Sequence, residues 1–236
     1  MRGLCRIIPG MKPLAICVLL FATLAFAESH EDLINRAFDA LEDDLSRHWS
    51  YTHTQEDSEG VYVGRYDPRL PEAERWELIS VDEREPTASE TESYLEQRRQ
   101  EQDEDAEDDA GFESVVKEGS IALVEETDSY WLFSFAPVAD SEEDLDIMES
   151  VDGTLRVNKD GHYVAEMTLQ NRGTIKPGKG VKIEKLLTRL AFAPLHEGGP
   201  VLPLSIEAAI KGKAFLVVKF DEHEKVTYSN FERVLD

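Results

Sequence analysis

The sequence predicts an α+β protein built on a strongly curved antiparallel sheet, an open half-barrel, with helices covering its concave face. From residue 111 onward, segments rich in β-branched and aromatic residues follow one another with short turns and no convincing helix between them. Strands joined in this way pair antiparallel. An amphipathic helical pattern precedes the first strands, and a second helix signal interrupts them near residue 90.

The N-terminus has the features of a secretory signal peptide over residues 1–27. Basic residues precede an apolar run over residues 14–26, and an A-x-A site ends at Ala27. The run is too short and wrongly flanked to span a membrane. We therefore expect export and cleavage after Ala27, with either Met1 or Met11 as the start.

The composition disfavours several classes of function. Cys5 and Cys17 both lie in the segment that cleavage removes, so we expect no disulfide, thiol nucleophile or cysteine metal site in the exported chain. An exported chain without disulfides fits the bacterial periplasm. The formal net charge of −24 becomes about −27 after cleavage, which disfavours nucleic acid or an anionic lipid surface as the main partner.

Residues 28–236 are expected to form one domain. Ser29 is the predicted N-cap of an amphipathic helix over residues 31–47. Thr87 and Glu90 form a capping-box pattern that begins a second helix over residues 88–95. Three strands are predicted between the helices, over residues 50–55, 59–66 and 74–81.

An acidic segment follows the second helix. From Glu96 to Asp109 only Ala106 is apolar, against eight acidic residues. A stretch of this composition has no apolar face to pack against a core. We therefore predict a frayed helical end or a mobile acidic loop over about residues 96–110.

The remainder of the chain is predicted to be nearly all strand. The predicted strands are residues 119–126, 129–137, 152–159, 162–170, 180–195, 200–212, 214–221 and 224–234. Residues 158–161, Asn-Lys-Asp-Gly, are typical of a tight hairpin turn. Residues 141–149 fit a short helix or a loop equally well.

Gly173, Gly178 and Lys179 have the G-x-x-x-x-G-K spacing of a phosphate-binding loop. A functional loop of this kind needs Ser or Thr after the lysine and then a helix. Here Gly180 follows, and the next residues alternate like a strand. The segment is instead predicted to connect two antiparallel strands.

The same segment contains a basic cluster in an acidic chain. We single out four of its lysines for partner binding: Lys176, Lys179, Lys182 and Lys185. Strand alternation predicts that Lys182 and Glu184 share one face and that Lys185 and Arg189 share the other. Two interpretations stay open, pairing with the protein's own acids or docking to an acidic partner or anionic headgroup.

The sequence gives no support for catalysis. It has no G-x-S-x-G motif and no metal-binding histidine pair, and the acidic run over residues 103–111 lacks the glycine of a calcium loop. We expect no enzyme activity, no cofactor and no metal site.

Aromatic and methionine side chains alternate along several predicted strands. One face is predicted to present Trp131, Phe133 and Phe135, and another strand Tyr163, Ala165, Met167 and Leu169. Such a face forms either a packed core or an apolar ligand pocket, and the sequence does not decide between them. The predicted pocket lining is Trp76, Trp131, Phe133, Phe135, Tyr163, Met167 and Phe220.

The strand pair over residues 152–171, the loop GTIKPGKG, the strand VKIEKLLTRLAF and the strands after it resemble the late strands of the lipoprotein-localisation (LolA/LolB-like) superfamily. The similarity covers residues 150–235. It implies an open half-barrel plugged by helices and a role in carrying acylated lipoproteins or other hydrophobic ligands through the periplasm. Residues 65–99 do not match the carriers, which suggests a divergent branch.

Two functions follow from these observations. The first is a periplasmic binding protein for a lipid-like or acyl ligand. Its expected partners are a lipoprotein or another envelope protein, and its contact with the membrane is expected to be transient. The alternative is an envelope protein-interaction or regulatory module with a filled core and no small ligand.

Overall fold

A computed structural model describes residues 29–42, 45–105, 115–139, 145, 147–178, 180–215 and 218–234. The predicted signal peptide lies outside these residues. The helices are α1 (His30–Asp39), α2 (Leu45–His48) and α3 (Ala88–Asp105). The strands are β1 (Trp49–Glu56), β2 (Val61–Tyr66), β3 (Trp76–Val81), β4 (Ala122–Glu126), β5 (Tyr130–Phe135), β6 (Val151–Asn158), β7 (Tyr163–Asn171), β8 (Val181–Pro194), β9 (Val201–Ala214) and β10 (Val218–Arg233).

All ten strands form one antiparallel sheet in the order β3-β2-β1-β10-β9-β8-β7-β6-β5-β4. The run from β4 to β10 is a simple meander, as the short turns predicted. The N-terminal strands join it through β1, which pairs with β10. The sheet is open, with β3 and β4 at its edges. No helix in the described part of the chain is long and apolar enough to cross a membrane.

One face of the sheet, here called the helix face, can be traced by cross-strand pairs, because directly opposed residues point to the same side. One row of opposed residues crosses nine strands of this face: Phe133, Leu155, Met167, Leu190, Ile206, Val226, Gln55, Tyr62 and Val81. Helix α1 packs near one end of this row and α3 near the other. The other side is called the outer face.

Helix α1 begins at the predicted N-cap, where the Ser29 hydroxyl accepts a hydrogen bond from the Asp32 backbone N–H at 3.1 Å. Ile34 and Ala37 are buried against Phe133 and Leu155 of the sheet. The prediction of one helix through residue 47 is wrong. The helix ends at Asp39, because Leu41 leaves it to form a parallel bridge with Val201. A separate short helix, α2, then leads into β1.

Helix α3 begins with the predicted capping box. The Glu90 carboxylate accepts the Thr87 backbone N–H at 2.7 Å, and the Glu90 N–H reaches the Thr87 hydroxyl at 3.3 Å. The helix predicted over residues 88–95 continues to Asp105, so residues 96–105 form a helical end, one of the two alternatives for the acidic segment. On the buried side of this helix, Arg98 occupies a position where an apolar residue is expected, and it is only 8 % exposed. Residues 106–110 of the predicted acidic segment lie outside the described part.

Three further predictions on strands can be compared with the structure. The hairpin at residues 158–161 is confirmed, since Asn158 pairs with Tyr163 across the turn. The Gly/Pro-rich segment after Asn171 is confirmed as a connection between the antiparallel strands β7 and β8. The two strands predicted over residues 214–221 and 224–234 form a single strand, β10. The polar residues 221–224 are in the strand because each pairs with β9.

Candidate functional site

A groove of about 560 Å³ lies across the three central strands β8, β9 and β10. Two rows of opposed residues on the helix face form its floor and one side: Leu186, Ile210 and Glu222, then Thr188, Ala208 and Glu224. The turn between β1 and β2, residues 57–59, forms the other side. A third row, Leu190, Ile206 and Val226, continues the apolar surface beside the groove and is half-buried.

The helices leave this central part of the helix face uncovered. Their contacts with the sheet are concentrated on β7 for α1, on β1 for α2 and on β3 for α3. Between these contacts, Ala208 is exposed, whereas Leu186 and Ile210 are half-buried and pack on one side against the cluster of Val151, Ile175 and Ile183. An apolar floor that remains open to solvent between two helix-covered regions is typical of a binding groove.

The rim of the groove is acidic. Glu222 and Glu224 stand on the helix face between the apolar residues Phe220 and Val226 of the same strand. No described residue forms a salt bridge with either glutamate. The turn adds Asp57, whose carboxylate accepts the Glu59 backbone N–H at 2.7 Å and so fixes the shape of the turn. The rim therefore presents negative charge without a cation from the described part of the chain.

Four of the predicted lining residues come together beneath α1. Phe133 (1 % exposed) and Phe135 (5 % exposed) are buried, and Trp131 and Met167 pack against them. Trp76 belongs to an aromatic cluster with Tyr51 and Tyr66, whereas Phe220 packs against Val151 and Ile183. These residues lie in three packed clusters rather than around one cavity. Their contact with a ligand stays a prediction.

Tyr163 lies on the opposite face from Met167, so the predicted alternation is wrong there. Val157 opposes Val164 and Leu155 opposes Met167, which leaves one extra residue in β7. This β-bulge reverses the alternation, and Tyr163 points to the outer face with its partner Asn158.

A second β-bulge corrects the predicted faces of the basic cluster. Ile183 opposes Gly212 and Lys185 opposes Lys211, so Glu184 is the extra residue of β8. Lys182 and Lys185 therefore share the outer face, together with Arg189. Lys176 is exposed in the β7–β8 connection, and Lys179 lies outside the described residues.

A buried polar cluster joins α3 to the sheet. The Nε2 atom of His53 and the Tyr94 hydroxyl are 2.6 Å apart, and Arg98 donates a hydrogen bond to Gln55 at 2.8 Å. Burial, and then the charge of Arg98, lowers the pKa of His53 to about 4. The imidazole is therefore neutral at neutral pH. The arginine stacks 5.2 Å from the Tyr94 ring centre. These contacts hold α3 on the helix face.

The groove and the buried cluster were both missed by the sequence analysis. Glu222 and Glu224 have the alternation of a strand face, but the prediction of two separate strands, ending at residue 221 and beginning at residue 224, concealed it. No group of three or more potential metal ligands occurs among the described side chains. No known protein family, characterised protein or solved structure matches the chain. The resemblance noted in the sequence therefore stays a prediction.

Proposed function

We propose that the protein is a periplasmic binding protein that takes a lipid-like or acyl ligand in the groove across β8–β10, and that it has no catalytic role. The observation behind the proposal is the apolar surface of the central strands that the helices leave partly open, with Leu186, Ala208 and Ile210 as its floor. We propose further that the sheet curves toward its helix face. The helices α1 and α3 then frame a concavity, as expected for a divergent relative of the lipoprotein-localisation superfamily.

The acidic rim restricts the polar end of the ligand. Glu222 and Glu224 repel a carboxylate or phosphate placed beside the apolar floor, and they attract an amine. We therefore propose that the ligand has an apolar chain and a neutral or cationic end.

The proposal is tested with two ligands of equal chain length, dodecylamine and dodecanoate, by calorimetric titration below micelle formation. We expect dodecylamine to bind more tightly. Replacing both Glu222 and Glu224 by Gln is expected to reduce this preference by about threefold to tenfold, the size of two exposed ion pairs.

The substitution Ala208→Trp fills the floor of the groove, and Ser229→Trp on the outer face of the same sheet is its matched control. We expect Ala208→Trp to weaken dodecylamine binding at least about tenfold and Ser229→Trp to leave it unchanged. Equal effects of both substitutions would contradict the proposal. Binding of neither ligand by the native protein would also contradict it and would favour the interaction module with a filled core.

A further inference from the structure

A row of three lysines crosses the sheet near the tip of the β9–β10 hairpin. On the outer face Lys182, Lys213 and Lys219 are directly opposed on β8, β9 and β10. The bulge at Glu184 brings Lys185 opposite Lys211 on the same face. Like charges in directly opposed positions destabilise a sheet.

The protein neutralises these lysines only in part, although its net charge is −24. Glu184 lies 2.9 Å from Lys182 and 3.8 Å from Lys213, and the hydrogen bond from Lys182 lowers the pKa of Glu184. Asp221 pairs with Lys211. Lys185 and Lys219 are exposed and form no salt bridge with a described residue. Pairing with the protein's own acids therefore leaves a basic patch, defined here as Lys182, Lys185, Lys211, Lys213 and Lys219.

Apolar side chains project beside the basic patch. Phe215, which follows β9, is 73 % exposed, and Val218, which begins β10, is 58 % exposed. Phe215 has a φ of 50°, a left-handed conformation that Gly or Asn adopts more readily than an aromatic residue. Its backbone N–H donates to the Gly180 carbonyl at 2.6 Å, so the β7–β8 connection supports the tip. Apolar residues at the end and lysines behind them give the hairpin an amphipathic tip.

We propose that this tip docks the protein on a membrane surface with anionic headgroups. Phe215 and Val218 enter the headgroup region, and the basic patch contacts phosphates. A folded protein partner needs a complementary surface of roughly 800 Å² per side, whereas a bilayer rearranges around a narrow tip. The strongly acidic remainder of the molecule is repelled by the same surface, which orients the protein tip first. This docking is independent of whether the groove binds a ligand.

The test is flotation of the protein with vesicles of phosphatidylcholine alone or with equal parts of phosphatidylglycerol. We expect binding to the anionic vesicles at about 0.05 M NaCl and its loss at about 0.5 M NaCl, because salt screens the lysines. Replacing both Lys213 and Lys219 by Gln should lower the partition coefficient at least about tenfold. The control Lys225→Gln, on the same face of β10 but far from the tip, should have little effect. Unfolding midpoints of all variants confirm that each is folded.

The apolar part of the tip is tested with Phe215→Asn, which suits the left-handed backbone and removes the ring. We expect a loss of about fivefold in partition coefficient. Equal binding to both kinds of vesicle, or equal losses from Lys225→Gln and the double variant, would overturn the proposal. So would binding of an acidic polypeptide through the basic patch without binding of vesicles, which would identify a protein partner instead.

Discussion

The buried histidine His53 links the stability of the fold to protonation. His53 is 1 % exposed, and its imidazole shares a hydrogen bond with the Tyr94 hydroxyl. Gly64 makes this contact possible, because a Cβ at that position would overlap the Tyr94 hydroxyl. A charged imidazole here would have little water and a neighbouring arginine, which explains its low pKa.

A loss of stability on acidification follows from this site. The pKa of His53 is about 4 in the folded protein and 6.5 in the unfolded chain, so between these values the unfolded state binds the extra proton. We expect the free energy of unfolding to fall by about 2 kcal/mol between about pH 7.5 and pH 5 through this residue. Urea unfolding of the native protein and of His53→Gln, each at about pH 7.5 and about pH 5, isolates this contribution. The acidic residues titrate alike in the two proteins, so the difference between the two pH dependences comes from His53. Parallel pH profiles would show that His53 does not contribute.

At the scale of elements, Arg98 attaches α3 to the sheet beside the hydrogen bond between Tyr94 and His53. Arg98 donates a hydrogen bond to Gln55 of β1, stacks over Trp76 and Tyr94, and pairs with Glu101 on its own helix. Its neighbour Arg99 is exposed and pairs with Glu96 on the same helix. The two arginines are a matched pair, with the same chemistry and opposite environments.

We expect Arg98→Ala to reduce the free energy of unfolding by about 2 to 4 kcal/mol, because it removes a buried hydrogen bond and the packing of the side chain. Arg99→Ala should cost less than about 0.5 kcal/mol. Chemical denaturation of both variants measures the difference. Equal effects would mean that α3 is not held by Arg98.

The sequence predicted where the helices α1 and α3 begin but not where they end. Ser29, Thr87 and Glu90 gave the starts of α1 and α3, because capping is a local interaction. The ends were mispredicted because tertiary contacts determine them. Leu41 leaves α1 to pair with Val201. Arg98 buries the apolar part of its side chain, which a prediction based only on apolar residue types does not include.

At the scale of the whole molecule, nine of the ten strands were predicted in nearly their correct places, because alternation and turn residues are local signals. The pairing of β1 with β10 was not predicted, since it joins parts of the chain that are distant in sequence.

The faces of two strands were mispredicted where a bulge intervenes, near Ala165 and at Glu184. One extra residue exchanges the two faces, which concealed both the position of Tyr163 and the basic patch. The groove depends on three strands in register, which no single segment reveals.

The location of a bound ligand tests the central claim, that the open middle of the helix face is the binding site. Backbone amide shifts of the isotope-labelled protein, recorded while dodecylamine is added, report this location directly. We predict that the largest shifts occur at Leu186, Ala208, Ile210 and Glu222, with little change at Phe133 and Phe135 beneath α1. Shifts centred on the residues beneath α1, or no saturable shifts at all, would contradict the account.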